Sequence, residues 1–382
     1  KNTGLFRSSD GGKTWKNQSA SLNVCARPFY FSTLVFDPND AQRVYRPAFQ
    51  FAYSEDGGYS FSEASNEGGW VHSDMHALWI NPNNPSHLMV GTDGGIYMSL
   101  DKGNNWLFIN NIPISMFYHV ATDDASPYNV YGGLQDNGSW MTASQSIGGI
   151  ENGDWINIGG GDGFWVQPDP NDKNIVYSES QGGYASRVNR VTNEYQDIQP
   201  KPEKGEKKLR FNWNTPIYIG ESTKKLYMGS QFLHRSSNQG RTWERISPDL
   251  TTNDSLKQKQ EESGGVTTDN SSAENHCTIF TITQDPRNED VVWVGTDDGN
   301  LQATTDGGAS WTKLNERISD LPKGAWVTTV EPSHHARDEW YVTFDNHMYG
   351  DFRPYVYRTT DGGSTWTSLA SPDMRGYAHV RS

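Results

Sequence analysis

The stretch TTDGGASW (304–311) joins a hydroxyl, a carboxylate, two glycines and a tryptophan in eight residues. Close copies recur along the chain: SSDGGKTW (8–15), SEDGGYSF (54–61), SLDKGNNW (99–106), SSNQGRTW (236–243) and TTDGGSTW (359–366). The first three copies start 46 and 45 residues apart. Self-similarity at that period is the mark of a repeat architecture, so the motif is first of all a ruler.

A second element lies upstream of most copies: FDPNDAQRVY (36–45), INPNNPSHLMVGTDGG (80–95), QPDPNDKNIVYSES (167–180) and TQDPRNEDVVWVGTDDG (283–299). Each is an apolar run, an Asp/Asn-Pro turn and a second apolar run. Proline presets φ and the Asx side chain closes the turn, which is hairpin chemistry. One unit therefore reads strand A, DPN turn, strand B, loop, strand C, Asp corner, strand D. Four strands in about 45 residues is the period of a propeller blade. LQDNGSW (134–140) and GGYASRVNRVTNEYQ (182–196) fall where two further turns are due. Corners are thus expected near 10, 56, 101, 136, 187, 238, 306 and 361. The expected fold is an all-β propeller of seven or eight four-stranded blades, a single propeller over 1–382. The first unit lacks strands A and B. YAHVRS (377–382) resembles a new strand A, so the two ends either close one ring or belong to blades beyond this chain.

Composition agrees. The 382 residues include 14 Trp, 18 Tyr, 15 Phe, 38 Gly and 18 Pro, a balance that favours pleated strands and tight turns. The net charge of −14 argues against a nucleic-acid partner, whose phosphates need a basic surface. The two cysteines, Cys25 and Cys277, form neither a disulfide framework nor a metal-ligand spacing. No apolar run is long enough for a spanning helix, so no membrane insertion is expected. The chain starts at Lys1 and reads as a mature, processed or partial chain. The polar stretches 200–209 and 251–275 read as loop insertions.

The boxes resemble the Asp-box repeats, known from bacterial neuraminidase, of sialidase-like and sortilin-like propellers, and the resemblance runs the length of the chain. VHSDMHALWINPNNP, VYGGLQDNGSW, GGGDGFWVQPDP, LRFNWNTPI and RISPDLTTND resemble large bacterial proteins of this class described as glycosyl-hydrolase-like. That resemblance implies an extracellular, periplasmic or cell-surface setting and a longer parent chain with another propeller. It also implies that Asp10, Asp56, Asp101, Asp306 and Asp361 are structural corner residues. Sialidases need an arginine cluster, and only Arg210, Arg353 and Arg375 lie near the expected site, so sialic acid does not fit. Xyloglucan-type hydrolases use two Asp residues across a cleft between two propellers, a part Asp74 could play.

Topology points to the other end of the blades. A–B turns and C–D corners share one end; the starts of strand A and the B–C loops share the opposite one. The strand A starts supply Tyr30, Asp74, His76, Tyr118, Asp162, Asn212, Asn214, His276, Trp326 and Tyr377. The B–C loops supply Asp93, Asp136, Asp297, Asp298, Asp345 and His347. Carboxylates, amides and rings suit a sugar, and two carboxylates, here Asp74 and Asp162, are the minimal hydrolase kit. Each has a plainer reading: Asp74 as a turn cap, Asp162 as part of a tight glycine turn, Asp136 as hairpin chemistry, and His76 and His276 as satisfied structural histidines. His72, Asp74 and His76 would share one face if they lay on a strand, which could ligate a metal; no further ligand cluster accompanies them, and neither metal nor cofactor is expected. Arg210, Asn212 and Asn214 are expected to alternate on one side, with Phe211 and Trp213 packed away. The functional expectation is a propeller that binds, and in one version hydrolyses, a glycan. The alternatives are a non-catalytic protein- or peptide-binding module and a structural part of an extracellular assembly. No nucleophile elbow, phosphate loop or dinucleotide fingerprint is present.

Overall fold

The computed structural model describes residues 4–25, 27, 30–63, 70–112, 114–262, 272–371 and 374. Tyr377, Arg375, YAHVRS and the middle of the 251–275 insertion lie outside the described residues. The rest is all-β: one two-stranded sheet, Leu5–Arg7 with Lys16–Ser19, and seven four-stranded antiparallel sheets in which neighbours in sequence are neighbours in space. This is the blade order of a β-propeller. The strands of blade 1 are Val35–Asp37, Asp40–Arg46, Ala52–Ser54 and Ser62–Glu63. Those of blade 2 are Met75–Ile80, Leu88–Thr92, Gly95–Ser99 and Leu107–Ile109. Blade 3 comprises Phe117–Thr122, Asn129–Leu134, Gly138–Ala143 and Ile156–Gly159. Blade 4 comprises Gly163–Pro168, Ile175–Ser180, Tyr184–Asn189 and Glu194–Asp197. In blade 5 the strands are Ile217–Ile219, Leu226–Gly229, Leu233–Ser236 and Glu244–Arg245. Blade 6 holds Ile279–Gln284, Val292–Thr296, Leu301–Thr304 and Thr312–Lys313, and blade 7 holds Trp326–Pro332, Trp340–Asn346, Asp351–Thr359 and Thr367–Ser368.

The chain divides into two compact units. Residues 1–115 carry the two-stranded sheet and blades 1 and 2; blades 3–7 form the second unit.

The core lies between blades, because one small sheet cannot cover both its faces. Tyr45, Phe51, Leu88 and Val90 fill the space between blades 1 and 2. In the second unit Tyr131 and Met141 meet Val166 and Val176, Ile175 and Tyr177 meet Ile217 and Met228, and Leu233 meets Ile279 and Val294. Between blades 6 and 7, Trp293 stacks on Trp340 with ring centroids 4.4 Å apart. Strand B carries the glycine this closeness requires. A Cβ on Gly133 would lie 2.2 Å from the backbone of Gly163, and one on Gly295 would lie 2.4 Å from the Val327 side chain.

The repeated motif is a hydrogen-bonded corner. Thr304 Oγ1 donates to Asp306 Oδ1 (2.7 Å) and accepts the Gly308 N–H (2.9 Å). Asp306 then accepts the Ser310 N–H (2.9 Å) and hydroxyl (2.5 Å). Gly307 and Gly308 have φ of 71° and 105°, which an L side chain resists. The same bonds form at Asp56 and Asp361. These donors hold the Asp10, Asp56, Asp306 and Asp361 carboxyls down at about 2, and lower that of Asp101. At two corners the tryptophan fastens a blade to the one before it: Trp243 Nε1 donates to Ile198 O (2.6 Å) and Trp311 Nε1 to Ile246 O (3.2 Å).

Two expected corners are misplaced. Residues 134–138 form the B–C hairpin turn of blade 3, whose C–D corner spans 144–155; Asp136 has φ of 58°, as Asp-Asn-Gly hairpin chemistry demands. The position near 187 lies inside strand C of blade 4, and the turn falls at 190–193. Both cysteines are free. Among the described residues no helix is long and apolar enough to cross a membrane, which says nothing of a β-barrel.

Candidate functional site

In five blades strand A carries a β-bulge just after its start: at His76, Tyr118, Phe164–Trp165, Phe280 and Thr328. A bulge re-aims side chains and ends regular pairing. It therefore sets the geometry of the end where ligand-facing residues were expected.

In the second unit this end carries two polar clusters. Asp162 Oδ1 accepts the Asp136 N–H at 2.6 Å, tying blade 4 to the hairpin of blade 3, and the Asp162 N–H donates to Gln181 Oε1 at 2.8 Å. Beside this pair Tyr118 packs on Phe164, ring centroids 4.3 Å apart. The next residue, His119, stacks on Trp165 at 3.7 Å, and its Nε2 lies 3.2 Å from Asn214 Oδ1. Asn214 N–H donates to Asn212 Oδ1 (3.0 Å), and Asn212 Nδ2 donates to Asp297 Oδ2 (3.1 Å) and Thr278 Oγ1 (3.0 Å). Asp297 also accepts the Thr278 N–H (2.9 Å) and hydroxyl (2.5 Å), and its Oδ1 lies 3.6 Å from His276 Nδ1. His119, Asn214, Asn212, Asp297 and His276 thus form one chain of contacts drawn from blades 3, 5 and 6.

Burial sets the electrostatics. It pushes the Asp297 carboxyl up to about 7, with the neighbouring Asp298 charge adding and the Thr278 and Asn212 donors opposing. Burial, together with Lys257, lowers His276. Asp298 is engaged as well, accepting Thr252 N–H and hydroxyl (both 2.7 Å) and Thr296 hydroxyl (2.5 Å). Burial pushes the Cys277 thiol up to about 12, so it is no nucleophile near neutrality. Glu179, absent from the sequence expectations, is buried opposite the Phe164–Trp165 bulge and accepts the Gly183 and Thr215 N–H groups at 3.1 and 3.3 Å. Burial holds its carboxyl well above the usual range. A lone acid in the otherwise uncharged strand IVYSES was the available signal.

The RFNWNTPI stretch corrects one expectation. Residues 210–214 are not a strand, and strand A starts only at Ile217. Arg210 turns to Asp249 (2.8 Å) and Cys277 O (3.1 Å) instead, which anchors the 251–275 insertion; Phe211 is core, as expected. Trp326 packs edge-on to Phe280 at 4.8 Å. Asp345 accepts the His347 N–H at 2.9 Å and lies 2.6 Å from its ring nitrogen, a local pair at the blade 7 hairpin.

The first unit holds the other expected residues. Asp74 has φ of 59°, and its N–H donates to Phe49 O (3.3 Å). Its Oδ2 accepts from Ser73 Oγ (3.1 Å), and its Oδ1 lies 4.0 Å from Arg27. His76 Nε2 lies 2.8 Å from Asp93. Strand A begins at Met75, so His72, Asp74 and His76 do not alternate along one strand, and the left-handed Asp74 backbone breaks the shared face. Among the described residues no group of acids, histidines or cysteines could hold a metal ion. Asp74 and Asp162 belong to different units.

No family model and no curated protein matches the chain. Among solved structures it is similar to a GH74 xyloglucanase from Xanthomonas campestris, at 13% identity and TM-score 0.34, covering 97% of this chain and 65% of that one. The chain thus spans less than two thirds of that enzyme's length. It is also similar to a Niastella koreensis GH74 enzyme (16% identity, TM-score 0.26, 96% and 69% covered) and to YCF48 bound to D1 peptide (12%, 0.37, 82% and 89%). At these identities the likeness is one of fold.

Proposed function

We propose that this chain is a glycan-binding propeller, working outside the cell, which holds its ligand without hydrolysing it. The observation that carries this reading is the network from His119 through Asn214, Asn212 and Asp297 to His276, built beside the stacked His119–Trp165 rings. Rings pack on sugar faces, and fixed amides and carboxylates hydrogen-bond hydroxyls. Hydrolysis would need a carboxyl pair astride the glycosidic bond, one partner free to give a proton. Asp162, Asp297 and Asp298 are buried, and their oxygens accept hydrogen bonds from fixed protein donors. A glycan microarray probed with wild type, His119→Ala and Asn214→Ala tests this. Selective binding lost in both variants supports it; binding that both variants keep refutes it.

One observation favours a second reading, a peptide or protein partner. Leu256, Met348 and Tyr349 are exposed on the insertion and the blade 7 hairpin, where Lys257 Nζ donates to Tyr349 OH at 3.0 Å. A blank array with a protein cross-linked at Tyr349 would favour it.

A further inference from the structure

The corner of blade 5, SSNQGRTW (236–243), has Asn238 where its sister corners have Asp. Its internal bonds are kept: Asn238 Oδ1 accepts from Ser236 Oγ (3.0 Å) and the Thr242 N–H (2.9 Å), and Nδ2 donates to Thr242 Oγ1 (2.8 Å). What is lost is the charge. A second difference lies one residue on. In blades 2, 6 and 7 the third residue after the corner's first hydroxyl donates its N–H to the blade's own A–B turn, Lys102 to Ser86, Gly307 to Asp290 and Gly362 to Asp338, and in blade 1 Gly57 donates to Gln42 at the start of strand B. Among the described residues Gln239, at that position, makes no such bond. Its side chain reaches the neighbouring blade instead, where Nε2 donates to Asp169 Oδ2 at 3.2 Å.

Beside this corner a cavity of about 300 Å³ opens between blades 4 and 5. Lys224 and Arg241 both line it. Other cations of blade 5 are paired, Lys225 with Glu289, Arg235 with Glu244 and Arg245 with Glu206. Among the described residues neither the Lys224 ammonium nor the Arg241 guanidinium has a hydrogen-bond or ion-pair partner. The Ser237 hydroxyl adds a further donor to the lining. The one carboxylate present, Asp169, is buried and already accepts the Asn171 and Asp172 N–H groups, the Tyr177 hydroxyl and Gln239 Nε2. Lys224 and Arg241 are both solvent-exposed and border the same polar cavity, so an anion seated there could pair with both.

We propose that this cavity binds a tetrahedral oxyanion, sulfate or phosphate, free or as an ester, held by Arg241 and Lys224 with Ser237. Arginine and lysine bind oxyanions through charge-assisted hydrogen bonds. The site lies at the corner end of the blades, opposite the network above, and does not depend on the glycan reading.

Calorimetric titration of the whole chain with sulfate and phosphate, at ionic strength matched by chloride, tests the proposal. Saturable binding of one or both is expected. Asn238→Asp, which keeps the corner's bonds and restores the carboxylate found in its sister corners, should weaken it about tenfold or more, as should Arg241→Gln and Lys224→Gln. A sulfated oligosaccharide that binds where its desulfated counterpart does not identifies an ester; free ions alone identify a free anion. Without anion Asn238→Asp should unfold at or above the wild-type temperature, so a loss of binding is not a loss of fold. The proposal is overturned by absence of saturable binding, or by equal binding in wild type and all three variants. Because sulfate stabilises proteins generally, a rise in melting temperature shared by the variants counts against it.

Discussion

His119 lies flat on Trp165, with ring planes 17° from parallel and centroids 3.7 Å apart, while its Nε2 meets Asn214 from the segment entering blade 5. Three blades are thereby joined through one imidazole. His119→Ala should change the emission of Trp165, a difference that disappears in the Trp165→Phe background. The stability cost should be about 1–2 kcal/mol, for one aromatic pair and one hydrogen bond. Urea unfolding followed by fluorescence reads both.

The strand B glycines should differ sharply in tolerance. A Cβ at Gly133 would meet the Gly163 backbone, which cannot move aside, whereas at the equivalent Gly91 its nearest neighbour is 3.9 Å away. Gly133→Ala should cost roughly 1–3 kcal/mol or more. Gly91→Ala should stay within about 0.5 kcal/mol of wild type. Chemical denaturation of the two variants side by side is the check.

The corner carboxylates make the fold sensitive to acid. Their folded values near 2 lie below the unfolded value, so their contribution is complete above about pH 4 and is lost as pH falls through about 2. Asp306→Asn should flatten the acid limb by lowering the melting temperature above about pH 4, where the wild-type carboxylate contributes in full, and converge with wild type as pH falls through about 2.

Asp297 acts in the opposite sense. Its carboxyl is raised to about 7, so between about pH 4 and pH 7 the native state holds a proton that the unfolded chain has released. Stability should therefore fall by a few kcal/mol across that window as pH rises, then level off. In Asp297→Asn the slope between pH 4 and 7 should be lost; a slope as steep as wild type would mean another group carries it.

Much of this molecule is legible in its sequence where the chemistry is local. The DPN turns form as read: Asp169 Oδ1 accepts the Asn171 N–H and Asp285 Oδ1 the Arg287 N–H, both at 2.8 Å. The corners follow from hydroxyl, Asp and glycine in fixed order. Blades 3 and 4 have no such box, and there the reading set the corner at the wrong hairpin or inside a strand. Asn212, Asn214, Asp162 and His276 lie at the expected end because topology gathers strand A starts there. His119 was missed: its partner Asn214 is 95 residues away, and no local pattern announces that a bulge will turn it toward Trp165. Asn238 was visible as a departure from Asp, but the cavity beside it depends on the path of Gln239 between two blades.

A propeller that holds a glycan without cutting it retains polymer and releases no reducing ends. Incubating wild type and Asp162→Asn with a polysaccharide panel, and measuring retained polymer and newly released reducing ends on the same samples, tests it most directly. The expected result is retention of at least one polymer by wild type with no new reducing ends. It is contradicted by reducing ends that wild type releases and Asp162→Asn does not, or by a panel in which nothing is retained.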